Sequence, residues 1–350
     1  MIYYPVIIPT LNRYQHFKEC VESLSLCTHA DKTELVIGLD YPPEEKYVDG
    51  WSKIKEYIPK IKGFAKVTFF EYDHNLGPTG NFSFLIKYVL KKYDAWIETE
   101  DDNVFSPCFL DYMDKCLEKY KDDEDILNIC AFILPSNYKL KEDTTILRLN
   151  GALCAWGMGR WKKAESELLE NVPNGIQKKI CSDRKMLKAL RKKHLAGLHH
   201  IIFWANKSNL DCLCDYTARI YMDLNNKASI YPNISLVRNN GNDGSGVNCV
   251  GLEDDWVSKI SISDEKTFDI IDNLENETVV LNSKIWHEDE NSSLSKKDVL
   301  LTILYYHLYI VLGYNLTQKL LLLKQTVKKS IFRIKNSILT SISKSHQDND

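Results

Sequence analysis

An acidic segment carries the strongest chemical signal in the sequence. Glu98-Thr99-Glu100-Asp101-Asp102-Asn103 directly follows Ala95-Trp96-Ile97, a short apolar run with the composition of a buried strand. At the carboxyl end of a parallel strand, such carboxylates lie at the mouth of a ligand site. They suit a hard divalent cation, which prefers oxygen ligands and keeps positions open for substrate phosphates. Taken alone, the cluster is equally compatible with a solvated turn before the next helix.

Polar residues also follow three other apolar runs. Thr10-Leu11-Asn12-Arg13 comes after the first run, Asp40 after the second, and His74-Asn75-Leu76-Gly77 after the third. Arg13 and the backbone amides at helix starts can face phosphates, and Asp40 can accept a hydrogen bond from a ribose hydroxyl or a base N–H. Taken singly, Asn12 is typical of a helix cap and Asp40 of a turn. Because the carboxyl ends of parallel strands meet at one edge, the set together predicts a nucleotide site.

The elements needed to position these residues alternate along the chain. Apolar runs predict buried strands at 3–8, 35–39, 67–70 and 95–97. Amphipathic stretches predict helices from residue 12, at 51–61 and at 77–92. The less regular remainder predicts helices at 107–120, 161–169 and 185–198, and strands at 126–132 and 228–232. Helices alternating with strands that are apolar on both faces indicate an α/β fold, in which helices flank a mainly parallel sheet.

Five segments, in this order, resemble those of GT-A-fold glycosyltransferases. Val6-Ile7-Ile8-Pro9-Thr10-Leu11-Asn12-Arg13 resembles their first strand and turn, and Asn75-Leu76-Gly77-Pro78 a later turn before a helix. Glu100-Asp101-Asp102 resembles the acidic motif in the form used by N-acetylglucosaminyltransferase I-type enzymes. Cys154-Ala155-Trp156-Gly157-Met158-Gly159-Arg160-Trp161-Lys162 resembles the S-W-G-W-x-x-W segment of bacterial surface-polysaccharide transferases. The segment 235–246 (SLVRNNGNDGSG) is similar to their S-L-V-x-N-x-G-x-D-G-S-G segment.

This resemblance, which covers roughly residues 3–250, implies a Rossmann-like GT-A domain with a mixed, mainly parallel sheet. It implies that Asp102 holds a divalent cation, Mn²⁺ or Mg²⁺, which bridges the diphosphate of a nucleotide-sugar donor. Glu100 and Asp101 would lie beside it on the sugar and ribose, and Asp40 would contact the base or ribose. The remaining donor-binding residues would be Thr10, Asn12, Arg13, Asn75 and Gly77. Trp156 and Gly157 would lie at the acceptor.

The resemblance also implies a catalytic base. The bacterial relatives carry a W-D-x-R-W-type segment 17 residues ahead of a Tyr-Pro pair, and counting back from Pro232 reaches Asp215. Cys214 replaces the tryptophan and the arginine does not match, so Asp211 stays open as the alternative base, and an ordinary helix-start carboxylate as the alternative for both. The segment 239–246 is expected to be a mobile loop near the donor phosphates. Trp161 and Trp204 are expected either beside Trp156 in an apolar platform for sugar rings or in the core.

The C-terminal region has a different pattern. Residues 299–313 are apolar but short for a bilayer span, which favours a buried or interfacial helix. Residues 315–345 place apolar side chains at helical spacing with lysines and arginines between them, and residues 315–350 contain seven Lys/Arg against two Asp. Such a helix suits peripheral contact with an anionic membrane. Packing on its own domain, or on a second subunit in an oligomer, is the alternative.

Composition limits the class of protein. The chain has 350 residues, of which 44% are hydrophobic and 27% charged, with a net charge of −3. These values exclude a disordered, collagen-like or polytopic membrane chain, and no global basic field indicates nucleic acid. Ten scattered cysteines fit a reducing cytosol better than a disulfide framework. Together with an N-terminus that lacks signal-peptide features, they predict a cytoplasmic protein, peripheral on the inner face of the membrane if the tail binds lipid.

These observations define the expected organisation and activity. Residues 1–290 are predicted to form the GT-A domain, with a nucleotide-sugar half at 1–105 and an acceptor half at 106–290, and residues 291–350 a helical extension. The expected activity is metal-dependent, inverting transfer from a nucleotide sugar, with UDP favoured, to a glycan or lipid-linked oligosaccharide in bacterial surface-polysaccharide assembly. A sugar nucleotidyltransferase is the first alternative, although the turn after strand one lacks its glycines. A non-catalytic nucleotide- or carbohydrate-binding scaffold is the second.

Overall fold

The computed structural model of the chain describes residues 1–141, 143–172, 175–203, 215–246 and 256–347, with side chains described through residue 324. The chain divides into two compact units, residues 1–173 with 212–292, and residues 174–211 with 293–350. The first unit ends near the predicted boundary at residue 290. The segment 174–211, which was predicted to belong to the first domain, instead lies in the unit formed with the C-terminal helix.

The strands all lie in the first unit. They are β1 Val6–Thr10, β2 Glu34–Leu39, β3 Lys66–Glu71, β4 Ala95–Glu98, β5 Asn103–Phe105, β6 Ile126–Cys130, β7 Ile146–Asn150, β8 Met158–Trp161, β9 Ala228–Pro232 and β10 Val237–Asn239. Eight of them, in the described residues, form one sheet of order β3-β2-β1-β4-β8-β6-β9-β7, and β5 pairs with β10 in a small second sheet.

The large sheet is mixed and mainly parallel. β1 pairs in parallel with β2 and β4, β2 with β3, and β6 with β9. β8 is antiparallel to both β4 and β6, and β7 is antiparallel to β9. The predicted fold class, a mixed, mainly parallel sheet flanked by helices as in the GT-A fold, is therefore confirmed.

The burial of the strands follows their place in the sheet. Every residue of β2, β4 and β6 is buried, because these strands have neighbours on both sides and helices over the faces. β3 is the edge strand, and all of its residues are exposed or only half-buried, so its predicted full burial was wrong. On one face, Leu85 and Val89 of a helix that follows β3 pack against Ile7, Val36 and Trp96 of the sheet.

The helices of the first unit are α1 Tyr14–Ser25, α2 Val48–Tyr57, α3 Gly77–Val89, α4 Phe109–Lys119, α5 Lys162–Asn171, α9 Asp215–Leu224 and α10 Asn276–Ser292. Those of the second unit are α6 Ile176–Ser182, α7 Arg184–Lys193, α8 Leu195–Phe203 and α11 Lys296–Gln347. The helix predicted at 185–198 is broken at His194, whose backbone angles (φ −143°, ψ 79°) are not helical.

The long helix α11 is two helices joined at Gly313. That glycine has φ 74° and ψ 177°, a conformation outside the helical region that glycine adopts without the penalty of a Cβ. The break coincides with the end of the apolar stretch predicted at 299–313. By length and composition alone, the segment 296–324 would be long and apolar enough to cross a membrane.

Candidate functional site

The carboxyl ends of β1, β2 and β4 meet at one edge of the sheet. Thr10 is in register with Leu39, and the N–H of Asp40 donates to the Thr10 carbonyl at 2.9 Å. Glu98 is in register with Ile7 on the other side of β1. The parallel pairing thus brings together the turn after β1, Asp40 and the acidic segment after β4, as the sequence predicted.

Arg13 is the cation at the centre of this edge. Its guanidinium forms an ion pair with Asp101 and a second one with Asp102, where Nη1 lies 2.7 Å from Oδ2. The Thr10 hydroxyl donates to Asp101 Oδ2 at 2.7 Å. Burial raises the pKa of the Asp101 carboxyl, and Arg13 opposes that shift. The end of β1 and the turn after it therefore hold two carboxylates of the acidic segment through the Arg13 guanidinium and the Thr10 hydroxyl.

Asp102 has a second partner from a distant part of the chain. Asn239, the last residue of β10, donates from Nδ2 to Asp102 Oδ1 at 2.6 Å and to Asn103 Oδ1 at 2.9 Å. The contact is made because β10 runs antiparallel to β5, with Asn239 opposite Asn103. The backbone N–H of Asn240 donates to the Asp102 carbonyl at 2.9 Å. Gly241 follows so closely that a Cβ there would overlap the Asp102 carboxylate.

Asn239 is a site residue that the sequence analysis did not single out. It is the first residue of 239–246, which was expected to be a mobile loop near the donor phosphates. In the structure Asn239 is the last residue of the strand Val237–Asn239, and its side-chain amide donates to Asp102. The available signal was the asparagine within S-L-V-x-N-x-G, since an amide is suited to orienting a carboxylate.

The acidic segment has the donor set that a divalent cation requires. Burial raises the pKa of Glu100, and the negative charges of Asp102, Asp215 and Asp101 raise it further, to about 8. A doubly charged cation would relieve this repulsion, and oxygen ligands are those that Mg²⁺ and Mn²⁺ prefer. Both Asp102 oxygens accept hydrogen bonds, but each carboxylate oxygen has a further lone pair for a metal. Glu100 and Asp102 thus fit the predicted cation.

Asp40 links the end of β2 to the turn before α3. Its Oδ1 accepts hydrogen bonds from the N–H groups of Leu76 at 2.8 Å and Tyr41 at 2.9 Å. Asn75 donates from Nδ2 to the Tyr41 carbonyl at 2.7 Å. Gly77, with φ 69°, begins α3 ahead of a proline. These predicted donor-site residues therefore lie together, with Asp40 ordering the backbone of the turn.

Asn12 is not the cap of α1. The helix begins at Tyr14, and Arg13 occupies the cap position without a side-chain cap bond. Gly50 of α2 packs against the backbone carbonyl of Asn12, where a Cβ would overlap it. The capping interpretation of Asn12 was therefore wrong, and its place at the carboxyl edge of β1 keeps it among the candidate donor-site residues.

Asp215 is the first residue of α9. Its charge raises the pKa values of both Glu100 and Glu98, which puts it within electrostatic range of the acidic segment. Asp211, the alternative base, lies outside the described residues. Removal of the Asp215 carboxyl group from water raises its pKa, although the charges of Arg160 and Arg219 oppose the shift. A carboxylate with a raised pKa accepts a proton from a hydroxyl group more readily.

A buried polar network supports this part of the site. Arg160 donates from Nε to Asn128 Oδ1 at 2.8 Å and forms an ion pair with Glu165, Nη1 to Oε2 at 2.7 Å. Glu98 accepts a hydrogen bond from the indole of Trp96 at 3.0 Å. Burial raises the pKa of Glu98, and the charge of Arg160 lowers it. A role for Arg160 could not be predicted, because a single arginine within a short strand does not reveal its buried partner.

Trp156 and Gly157 lie at the same edge of the sheet. Because β8 is antiparallel to β4, its first residue, Met158, is opposite Glu98. Gly157, with φ 68°, directly precedes β8, and the half-buried Trp156 packs edge-on against Phe132, with ring centroids 4.7 Å apart. The predicted acceptor residues are thus beside the acidic segment.

Two other tryptophans do not add to that aromatic surface. The indole of Trp161 is buried and donates to the Leu117 carbonyl at 3.1 Å. It is a core residue. Trp204 lies outside the described residues. Trp156 is therefore the tryptophan of the three that the described structure brings to the acidic edge.

The polar loop after β10 is tied to α1. His16 Nε2 lies 2.9 Å from Asp243 Oδ2, and the N–H of Ser245 donates to Asp243 Oδ1 at 2.8 Å. Burial raises the pKa of Asp243, but the bonds from Ser245 and His16 outweigh it and lower the pKa to about 2. The loop therefore contacts Asp102 at its start and reaches α1 further along, through the carboxylate of Asp243.

No family model and no curated protein matches the chain. Several solved structures are similar to it. TarS of S. aureus is 13% identical with a TM-score of 0.33, and the match covers 49% of this chain and 30% of TarS. The mannosyltransferase PcManGT from Pyrobaculum calidifontis, in complex with GDP-Man and Mn²⁺, is 12% identical with a TM-score of 0.38, covering 63% of this chain and 68% of that one.

The apo-form glycosyltransferase GlyE of Streptococcus pneumoniae TIGR4 is 12% identical with a TM-score of 0.29, covering 65% of this chain and 45% of GlyE. This chain thus spans less than a third of TarS and less than half of GlyE. With identities of 12–13% and TM-scores of 0.29–0.38, these similarities identify neither donor nor acceptor for this chain.

Proposed function

We propose that the chain is a metal-dependent, inverting glycosyltransferase, which moves a sugar from a nucleotide sugar to a glycan acceptor in bacterial surface-polysaccharide assembly. The observation that carries this proposal is the carboxylate cluster at the sheet edge. Asp101 and Asp102 are held by Arg13, Asp102 is also held by Asn239, and Glu100 keeps a raised pKa of about 8 among their charges. Such a cluster suits a cation that neutralises a diphosphate.

Donor binding follows from the position of each group. The turn after β1 presents Arg13 beside the carboxylates, where its guanidinium can face phosphate oxygens. Asp40, buried at the end of β2, would contact the base or ribose of the donor. A bound cation supplies Lewis-acid stabilisation of the departing nucleoside diphosphate. Asp102, with Glu100 beside it, would hold that cation, and Asn239 fixes the Asp102 carboxylate through its hydrogen bond.

The transfer step then needs one base. The acceptor hydroxyl oxygen attacks the anomeric carbon as the bond from that carbon to the diphosphate oxygen breaks, and the hydroxyl proton passes to Asp215. Attack from the face opposite the leaving group inverts the anomeric configuration. Trp156 and Gly157 form the neighbouring surface on which the acceptor sugar rests. A UDP-sugar donor and a glycan or lipid-linked oligosaccharide acceptor remain our proposals, based on the segments that resemble GT-A enzymes.

A donor screen tests the proposal directly. Purified protein is incubated with Mn²⁺ and UDP-, GDP-, dTDP- or CMP-sugars, and release of the nucleotide is measured with and without EDTA. We expect one nucleotide class to be released, and EDTA to abolish that release. Release of pyrophosphate from a nucleoside triphosphate and a sugar phosphate would instead indicate a nucleotidyltransferase, and nucleotide binding without turnover a scaffold.

The variant for this test is Asp102→Asn. Because Asp102 is buried and hydrogen-bonded to Asn239, asparagine keeps the side-chain size and removes the charge, whereas alanine would also leave a hole. We expect Asp102→Asn to lose metal-dependent turnover. The matched control is Asp122→Asn, in an exposed loop of the same unit, which we expect to retain full activity. Equal activity of both variants would overturn the assignment of Asp102.

A further inference from the structure

The first segment of helix α11 carries polar side chains on the side that packs against the protein, which is the reverse of a helix at the surface of a soluble protein. Before Gly313, the side that packs within the second unit carries Thr302, Tyr305, Tyr306 and Tyr309, all buried. Thr302 bonds to His199 of α8 at 2.8 Å, and Tyr305 packs edge-on against Phe203, with ring centroids 5.3 Å apart. The side chains with hydroxyl groups therefore face the protein.

The opposite side of the same helix is apolar and exposed. Leu300, Leu304 and Val311 recur at helical spacing and are 70%, 53% and 73% exposed. A soluble helix places such residues in the core and its polar residues outside. A contiguous exposed apolar face indicates contact with another surface.

Beyond Gly313 the chain folds back on the first segment, since Gln318 Nε2 donates to the Tyr309 hydroxyl at 2.8 Å and Lys324 Nζ lies 5.4 Å from the ring centroid of Tyr305. The second segment also has an exposed apolar side. Leu316, Leu320 and Leu323 are exposed, while Thr317 and Leu321 on the other side are buried. Lys319 and Lys324 are exposed and adjoin these leucines in the sequence, and the ammonium of Lys324 also lies over the Tyr305 ring. Further along the helix the sequence repeats the pattern, with Val327, Ile331, Ile334 and Ile338 at helical spacing and Lys328, Lys329, Arg333 and Lys335 between them.

We propose that the exposed apolar side chains of the two segments, Leu300, Leu304, Val311, Leu316, Leu320 and Leu323, dock in the plane of a bilayer that contains anionic lipid. Leucines enter the interface, and the flanking lysines reach lipid phosphates with their charged ends. The charge complementarity selects lipid over a second copy of the chain, because two copies would bring their own lysines together. The proposal does not depend on the transferase activity.

The break at Gly313 favours docking in the plane over spanning. The helix from Lys296 to residue 312 has 17 residues, or about 25 Å at 1.5 Å per residue, which is shorter than the ~30 Å hydrocarbon core. Its buried side is already occupied by α8. Less than a quarter of the most apolar stretch of 296–324 is buried, so the apolar side is free to meet lipid.

Vesicle flotation of the full-length protein tests the proposal. We compare vesicles of phosphatidylcholine alone with vesicles that contain phosphatidylglycerol, at low and high salt. We expect flotation with the anionic vesicles, at least tenfold weaker binding to the neutral ones, and weakening by salt, because each cation near the surface contributes about 1 kcal/mol that salt screens. Leu316→Glu with Leu320→Glu should abolish flotation. The control Leu26→Glu, an exposed leucine of the first unit, should not.

Three results would overturn the proposal. Absence of flotation at low salt, with a dimer by light scattering that Leu316→Glu and Leu320→Glu dissociate, would make this face a subunit interface. Flotation that resists both salt and alkaline extraction would make it a membrane span. Unchanged flotation of the double variant would exclude the leucine face. Circular dichroism of each variant verifies that it is folded, so loss of flotation reports on the face itself.

Discussion

Arg13 and Asp102 form an ion pair, Nη1 to Oδ2 at 2.7 Å, in which the side chains are only 18% and 7% exposed. Asp101 pairs with the same guanidinium. One arginine thus balances two carboxylates that are largely removed from water. Removing Arg13 would leave these two buried carboxylates without their partner. This is costly, because surroundings of low dielectric constant do not stabilise an unpaired charge as water does.

We expect Arg13→Gln to lower the free energy of unfolding by about 3–5 kcal/mol, the usual cost of leaving a buried charge unpaired. Mn²⁺ should raise the melting temperature of this variant by more than it raises that of the wild type, since the cation then compensates both carboxylates. Thermal unfolding with and without Mn²⁺ measures both effects.

The control for Arg13 is Lys53→Gln, which removes an exposed ion pair with Asp49 at 2.7 Å. It should change stability by less than about 1 kcal/mol and leave the Mn²⁺ effect unaltered. If Mn²⁺ stabilised Arg13→Gln no more than the wild type, the carboxylates held by Arg13 would not be the cation site.

Asn239→Ala should weaken Mn²⁺ affinity by roughly 10–100-fold, the usual effect of losing a residue that orients a metal ligand. Asn239 donates to Asp102 and to Asn103, so its removal frees the Asp102 carboxylate to rotate. Calorimetric titration of Mn²⁺, without donor, measures this independently of turnover. Asn171→Ala, which removes only an exposed bond within α5, is the control. Equal Mn²⁺ affinities in the two variants would contradict the role of Asn239.

Asp215→Asn should reduce the transfer rate by roughly 10²-fold or more, the usual contribution of a general base. Donor affinity should be nearly unchanged, because the residue lies at the start of α9 and outside the acidic segment. Single-turnover kinetics and nucleotide-sugar binding distinguish the two quantities. The same phenotype in Asp211→Asn, with normal rates in Asp215→Asn, would assign the base to Asp211.

Stability should fall as the pH rises from about 4 to 8, and Asp114 contributes to this fall. Burial, and then the charge of Asp111, raise the pKa of Asp114 to about 7, although a bond from the Tyr4 N–H opposes them. A carboxyl group with a raised pKa binds more protons when folded than when unfolded. Its favourable contribution is therefore present below the unfolded pKa of 3.8 and lost as the pH passes through 7.

Asp114→Asn should remove the part of this pH dependence that Asp114 contributes. The amide oxygen still accepts from Tyr4, and the variant should gain stability at pH 8, up to about 4 kcal/mol, with little gain at pH 4. Denaturant unfolding at the two pH values measures the difference. An equal effect of the substitution at pH 4 and pH 8 would show that Asp114 titrates normally.

The sequence revealed the residues that follow strands and missed those that reach the site from elsewhere. Thr10, Asp40 and Asp102 could be predicted because each lies at or shortly beyond the end of an apolar strand, and parallel pairing brings such positions to one edge. Asn239 could not, because no local pattern encodes the pairing of β10 with β5. For the same reason the sequence did not group residues 174–211 with the C-terminal helix.

The predicted fold class is confirmed because the apolar runs of β1, β2 and β4 reflect burial on both faces. The short strand β8 escaped prediction. Its four residues, Met158–Trp161, lie between two strands that run the other way, and a four-residue segment has too few positions to show a period. The break at His194 escaped as well, because the surrounding apolar pattern continues through it.

The pairing of β5 with β10 also determines when during folding the site is completed. Asn239 and Asn103 are 136 positions apart, and closing so long a loop costs more chain entropy than the local contacts of the strand–helix units. During synthesis the acidic segment emerges well before Asn239 does. We therefore expect the strands β1, β2 and β4 to collapse early around unrestrained carboxylates. We expect the site to bind a cation only late in folding, once β10 has paired with β5.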